Sequence, residues 1–255
     1  MICFIPADGE DKEVIAMNCY EYWDRLSAEC DAFHEYARCH LEEFKTEFEN
    51  KKIRKVMSTY ADGLGIVSPS KMTKYIIKNY RSGRVIKTVK PGQLYEVAYY
   101  DNEDNPLAVE SYSQLTPDGG YTQRSETRYF VNYGDSVWTA LFSESGLIYN
   151  EHYKIVYDEN HRLKGLYQIN AGNSLQVMAE EYDYSEIEQG IVTCLFTDYV
   201  GKASGTSKDI PIGYKGSPAI QWKYVVNIDE KGKHKAITVY KNINGEFVFN
   251  EHVDF

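Results

Sequence analysis

Two hydrophobic rhythms run along the chain. From about Val14 to Phe48, apolar residues recur at steps of three or four: Ile15, Cys19, Trp23, Leu26, Cys30, Phe33, Ala37, Leu41, Phe44 and Phe48. That spacing places them on one face of a helix. No Gly or Pro interrupts the run, so it predicts one long N-terminal helix, with Cys39–His40 as the place for a break. From Lys74 the period changes to two. Tyr75–Tyr80 and Arg84–Val89 flank Arg81-Ser82-Gly83 as a hairpin. Further strands are predicted near 94–100, 107–115, 122–133, 136–143, 147–157, 162–169, 174–184 and 190–200, then 221–228, 235–240 and 246–255. Short polar turns join most of them, and short connections favour antiparallel neighbours.

The two rhythms predict a mainly β (α+β) protein. A long N-terminal helix packs on an extended antiparallel β-meander, which is either barrel-like or an open sheet. Residues 1–73 form an acidic helical segment and residues 74–255 the meander. The aromatic residues Trp23, Phe33, Phe44 and Phe48 suit a broad sheet surface better than a narrow coiled-coil seam. In the strand predicted for 147–157, Leu147, Tyr149, Glu151, Tyr153 and Ile155 share the apolar face. Asn150, His152 and Lys154 fall on the mixed one.

Charge sharpens this division. The net charge is -10, and residues 1–49 hold thirteen Asp/Glu against four Lys/Arg. The remainder of the chain is close to neutral, so the acidity belongs to the helical segment. Such a segment repels nucleic acid and membrane surfaces and attracts basic partners. Lys51, Lys52, Arg54 and Lys55 follow it and suit the C-terminal end of a helix. The 23 tyrosines fall in strand-like runs, where the ring packs and the hydroxyl reaches a polar partner.

The five cysteines match neither a disulfide framework nor a zinc signature, and Cys19 and Cys30 fall on the apolar stripe. A reducing, cytoplasmic setting follows. The opening Met1–Ile5 is too short for a signal peptide, and no apolar run reaches the length of a membrane span.

Some segments repeat. Arg128-Tyr-Phe-Val-Asn132 matches Lys223-Tyr-Val-Val-Asn227, and Gly146–His152 matches Gly245–His252 with one residue inserted. A second recurring element is a strand, then Tyr-Asp or Ile-Asp, then a polar turn. It occurs at Tyr100-Asp101, Tyr157-Asp158 and Ile228-Asp229. These turns resemble the Tyr-Asp repeats of bacterial Rhs-type proteins and the hairpins of MORN-type repeats. Rhs-like proteins and the immunity proteins of bacterial toxin systems use such sheets, so the resemblance implies a binding role.

The candidate chemistry lies in Glu151-His152 and Glu251-His252. Alternation puts each Glu on an otherwise apolar face, where a carboxylate needs a partner, a shifted pKa or a polar pocket. Both glutamates could face one cavity as acid and base or hold a cation; otherwise a β-bulge or strand end turns them outward, or a Tyr hydroxyl or Arg satisfies them. His34, His40, His161 and His234 read as solvated. Gly201–Lys208 has phosphate-loop residue types in the wrong order, and 201–218 is the one long irregular stretch. No cofactor or metal is expected.

The favoured function is a non-enzymatic protein-binding module, most concretely an immunity or inhibitor protein. Its acidic helix would dock a basic protein partner, possibly a toxin, through Glu21, Asp24, Asp31, Glu35 and Glu42. The alternative is an enzyme or small-ligand carrier using Glu151 and Glu251 in a sheet cavity, with His152 and His252 beside them.

Overall fold

A computed structural model describes residues 12–77, 79–114, 123–171, 174–202, 220–243 and 245–255. Its side chains are described from residue 25 onward, apart from 114, 123, 171, 174, 175 and 199–202. Helices α1 (Lys12–Cys39) and α2 (Leu41–Lys51) come first, then strand β1 (Arg54–Thr59) and a short helix α3 (Thr73–Ile76). Eleven strands follow: β2 (Tyr95–Tyr100), β3 (Pro106–Gln114), β4 (Gln123–Tyr133), β5 (Ser136–Ser143), β6 (Glu151–Tyr157), β7 (Leu163–Ala171), β8 (Ser174–Asp183), β9 (Ile191–Lys202), β10 (Ile220–Ile228), β11 (His234–Ile243) and β12 (Glu246–Asp254). The strand order is the chain order, β1 to β12, in one open antiparallel sheet. None of the described helices is long and apolar enough to cross a membrane.

The predicted single helix over 14–48 is divided. His40 leaves helical geometry with ψ of 17, and its Nδ1–H donates to the Tyr36 carbonyl at 2.6 Å. The imidazole thereby satisfies a carbonyl that the break strands, and it stacks on the Tyr36 ring at 4.0 Å. His40 is therefore a structural element of the break and not a solvated side chain.

The sheet also begins earlier than residue 74. Arg54 and Lys55 belong to β1, which pairs Arg54 with Tyr100 and Thr59 with Tyr95. The hairpin expected over Tyr75–Val89 does not form. Its first limb enters α3, Asn79 turns at φ of 64, and Val85 makes only an isolated bridge to Ser58. The strand predicted from Leu147 starts at Glu151, leaving Leu147 exposed.

The chain divides into two compact units, Phe33–Tyr153 and the two segments Met1–Ala32 and Lys154–Phe255. In the first unit the sheet is covered on both faces. On one face Phe33 stacks on Trp138 with centroids 4.9 Å apart and meets His152 edge-on at 5.2 Å. Phe44 lies against Tyr129 and Phe142, and Phe48 meets Tyr99 edge-on. On the other face the segment 60–93 buries Ala61, Leu64, Val67 and Met72. Asp62 and Arg81 tie that segment together at 2.6 Å. Gly63 lies so close to the Tyr153 hydroxyl that a Cβ there would meet it at 2.8 Å. The segment therefore needs a bare backbone at that point.

In the second unit Leu26 and Cys30 of α1 are buried, as are Ile155, Ile169, Val177 and Cys194 on the strands. Glu29 of α1 reaches Lys154 of β6 at 2.5 Å. Burial pushes the Cys30 thiol up to about 12, which makes it an inert core group.

Three hairpins share one turn. Asp101 Oδ1 accepts the backbone N–H groups of Glu103 and Asn105, Asp158 Oδ1 those of Asn160 and Arg162, and Asp229 Oδ1 those of Lys231 and Lys233. In each, the residue three places after the Asp adopts positive φ: Asp104 at 63, His161 at 57 and Gly232 at 70. The Asn105 side chain and then these backbone donors hold Asp101 below its usual range; at Asp158 the backbone donors lead, joined by the Arg162 side chain, and at Asp229 the backbone donors lead. The Tyr-Asp and Ile-Asp dipeptides thus mark one recurring device, in which two copies place a non-glycine residue in the left-handed region.

Candidate functional site

The Glu151-His152 pair is built into the first unit. Arg128 of β4 is buried, and its Nη2 donates to Glu151 Oε1 at 2.7 Å. Its Nη1 donates to Thr139 Oγ1 at 3.3 Å, and the guanidinium sits 5.0 Å from the Tyr153 ring centre. Thr139 Oγ1 in turn accepts the Tyr153 backbone N–H at 3.0 Å. Glu151 is thereby satisfied by an arginine, one of the outcomes left open by the residue pattern.

His152 was assigned to the mixed face, yet it is fully buried beneath α1. Its Nδ1 lies 2.9 Å from the Thr139 carbonyl, which can only accept, so Nδ1 carries the proton. Burial pushes its pKa down to about 4, which keeps the ring neutral and Nε2 bare. His34 Nδ1, 2.9 Å away, must then be the donor to that nitrogen. His34 is a half-buried partner in this relay and not a solvated residue.

Glu251 and His252 belong to the second unit and sit in a different environment. Glu251 pairs across the sheet with Val239 and is exposed. His252 is exposed, with Nδ1 2.8 Å from Thr238 Oγ1 and Nε2 3.2 Å from Asp254. The sequence match between the two Glu-His segments does not extend to their surroundings. Glu251 faces outward, so the acid–base pair in a closed cavity lacks one of its two members.

A further buried carboxylate stands outside the Glu-His pairs. Glu96 of β2 lies under the 60–93 segment, where it accepts the Ala61 N–H and the Ser111 hydroxyl. Burial pushes its pKa up to about 7, although these bonds and nearby Arg128 pull the other way. Val97 and Tyr99 stand on the opposite face, so the alternation around Glu96 carries no sign that its own face would be covered. Glu110 is also buried and fully engaged. It accepts from the Tyr99 and Tyr112 hydroxyls at 2.8 and 2.9 Å and from Arg124 at 2.9 Å. Tyr167 donates to Glu181 and Tyr182 to Glu180 in the same manner. Tyrosine hydroxyls satisfying sheet carboxylates account for part of the unusual tyrosine content.

Of the acids expected to bind a partner, Glu21 and Asp24 lie on α1 where side chains are outside the described set. Asp31, Glu35 and Glu42 are exposed. Glu35 pairs with Arg38 at 2.6 Å and Glu42 with Lys45 at 2.7 Å, and Glu47 and Glu49 pair with Lys51 and Lys52. The helices therefore project less net charge than their acid count suggests. The irregular stretch 201–218 falls almost wholly outside the described residues. Among the described residues no group of three His, Cys, Asp or Glu is placed to hold a metal ion.

The surface with the clearest unspent chemistry is β12. Phe249 is 60% exposed and Phe255 57%, and Val248, Val253 and neighbouring Ile243 are also exposed. Between them stand the exposed carboxylates Glu246, Glu251 and Asp254. Exposed apolar groups interleaved with charge characterise interaction surfaces.

No family model matches the chain, and no curated protein matches it. Among solved structures it is similar to a crystal structure of a protein with unknown function from Bacteroides fragilis NCTC 9343. The two are 9% identical, with 63% of this chain and 91% of that one covered and a TM-score of 0.26. A likeness that slight carries no argument about fold or function.

Proposed function

We propose that the protein is a non-enzymatic protein-binding module that receives a basic partner, in its most concrete form an immunity or inhibitor protein facing a cationic toxin. The observation that carries this reading is β12, which sets exposed Phe and Val side chains among three exposed carboxylates. The exposed acids of α1 and α2 add to the attraction. Their i,i+3 and i,i+4 ion pairs are solvent-exposed and weakly held, so a partner's arginine can displace them. Glu151, by contrast, is committed to Arg128 and offers no poised catalytic carboxylate.

Titration of the full chain with a cationic nuclease-type toxin domain tests the proposal, with calorimetry across a salt series from about 50 to about 500 mM. The expected complex weakens steadily as salt rises. Replacing Phe249 and Val253 by Ser weakens it by about tenfold or more. A complex indifferent to both salt and these substitutions would move the function elsewhere, and failure to bind any basic candidate would remove it.

A further inference from the structure

We infer that β12 receives its partner as an added strand, and that the partner is an extended segment with Lys or Arg opposite Glu246, Glu251 and Asp254. Apolar residues would lie opposite Val248, Phe249 and Val253. This rests on the protein-binding reading above and specifies its mode. β12 ends the strand order, with β11 its neighbour among the described strands. A terminal strand presents a row of backbone donors and acceptors that a further strand can satisfy.

The register divides its side chains between two faces. Val253, Glu251, Val248 and Glu246 stand beside Ile237, Val239, Lys241 and Ile243. Asp254, His252, Phe249 and Phe247 stand beside Ala236, Thr238, Tyr240 and Asn242. On the first face apolar and acidic positions alternate along the strand. On that face an incoming strand is therefore offered an apolar contact next to Glu246 and Glu251, and Asp254 follows on the other face beside His252. Edge strands are commonly guarded by lysine, yet residues 246–254 contain no Lys or Arg. Lys235 and Lys241 lie on β11, about 4.8 Å further inland.

The same charges disfavour a second copy of this chain. Pairing β12 with itself would bring three carboxylates from each copy together without a strand cation to offset them. Pairing it with β1 of another copy meets an edge already engaged, since Arg84–Ile86 bonds to Met57 and Thr59.

The test uses the full chain and a synthetic peptide, Lys-Val-Thr-Lys-Thr-Phe-Val-Phe-Lys, about as long as β12. Three controls accompany it: the same peptide with Glu for Lys, a version N-methylated at alternate amides, and the charge-swapped protein E246K/E251K. Anisotropy gives affinity, amide exchange read by mass spectrometry gives location, and light scattering gives the oligomeric state. We expect the lysine peptide to bind, to protect β12 amides and to weaken with salt. The glutamate peptide and the N-methylated peptide should each bind at least about tenfold more weakly. E246K/E251K should reverse the preference between lysine and glutamate peptides while its circular dichroism stays native.

Absence of binding, binding indifferent to N-methylation, or unprotected β12 amides would each overturn strand addition. So would a peptide-free dimer that protects β12, which would assign the edge to a second copy. The salt series with a toxin domain stands apart from these outcomes, so the mode can fail while protein binding survives.

Discussion

The two terminal strands of the sheet, β1 and β12, are finished in opposite ways. β1 carries Arg54 and Lys55, and Arg54 is held by Asp104 at 2.8 Å and stacked over the Tyr100 ring. Its second half is closed by the main chain: Thr59 N–H donates to the Arg84 carbonyl and Ile86 N–H to the Met57 carbonyl, both at 2.9 Å. β12 has neither device among the described residues, and most of its side chains are exposed. Among the described residues, one molecule thus contains both a guarded edge and an open one. An open edge left in a protein able to close the other is better explained by use than by a general failure of protection.

The largest expected effect sets the two ends against each other in stability. Phe33, wholly buried against Trp138 and His152, should cost about 3–5 kcal/mol as Phe33→Ala. Phe249→Ala on β12 should cost no more than about 0.5 kcal/mol. Urea unfolding of the pair measures this, and similar losses at both sites would mean that β12 is part of a packed core.

The second effect is pH dependence, which belongs to the unit with the guarded edge. Glu96 has its pKa raised by burial from 4.5 to about 7, so the folded state holds its proton better than the unfolded chain does. Its contribution is fully present below 4.5 and is lost as pH rises to 7. His152 has its pKa lowered from 6.5 to about 4, so its contribution is fully present above 6.5 and is lost as pH falls to 4. The two slopes oppose each other in the overlapping window. Glu96→Gln should therefore stabilise the protein above pH 7 by up to about 3 kcal/mol, with the gain vanishing below pH 4.5. It should also unmask the His152 slope between pH 6.5 and 4. Unfolding free energies from pH 4 to 8 test this, and a variant with a pH-independent offset would contradict it.

Third, the guard on β1 can be loosened. Gly83 has φ of 75, and a Cβ there would meet the Thr59 carbonyl oxygen at 3.2 Å. Gly83→Val should cost more than about 1 kcal/mol and speed amide exchange in Met57–Thr59. Unchanged exchange would show that residues 84–86 do not protect that edge.

The smallest effect lies in a hairpin between the edges. His161 occupies the left-handed position that Gly232 fills in the equivalent turn, so His161→Gly should stabilise by up to about 1 kcal/mol, measured as a small rise in melting temperature.

Local chemistry was the most legible part of the sequence. Asp101, Asp158 and Asp229 announced their turns because an Asx turn is made by one side chain and the next four residues. The antiparallel meander followed from such short connections. β1 was missed because Arg54 and Lys55 resemble the charged end of a helix, and an edge strand under selection for charge looks the same. The hairpin predicted at 75–89 does not form because alternation also occurs in a segment that covers a sheet and meets its edge only around Val85. For β6, alternation separated Glu151 from His152 correctly. It could not show that both faces would be covered, or that Arg128, 23 residues away, would neutralise the glutamate. Burial of that kind is decided by tertiary packing and leaves no periodic trace.

The sheet's order has a kinetic consequence. Every strand bonds to its immediate predecessor in the chain, so most registrations close only a short loop, β1–β2 and β9–β10 excepted. Such a molecule can zip forward one hairpin at a time, with each aspartate turn as a ready nucleus. Every intermediate on that route ends in a receptive border, and β12 keeps in the native state the receptivity that the growing sheet needed in order to form.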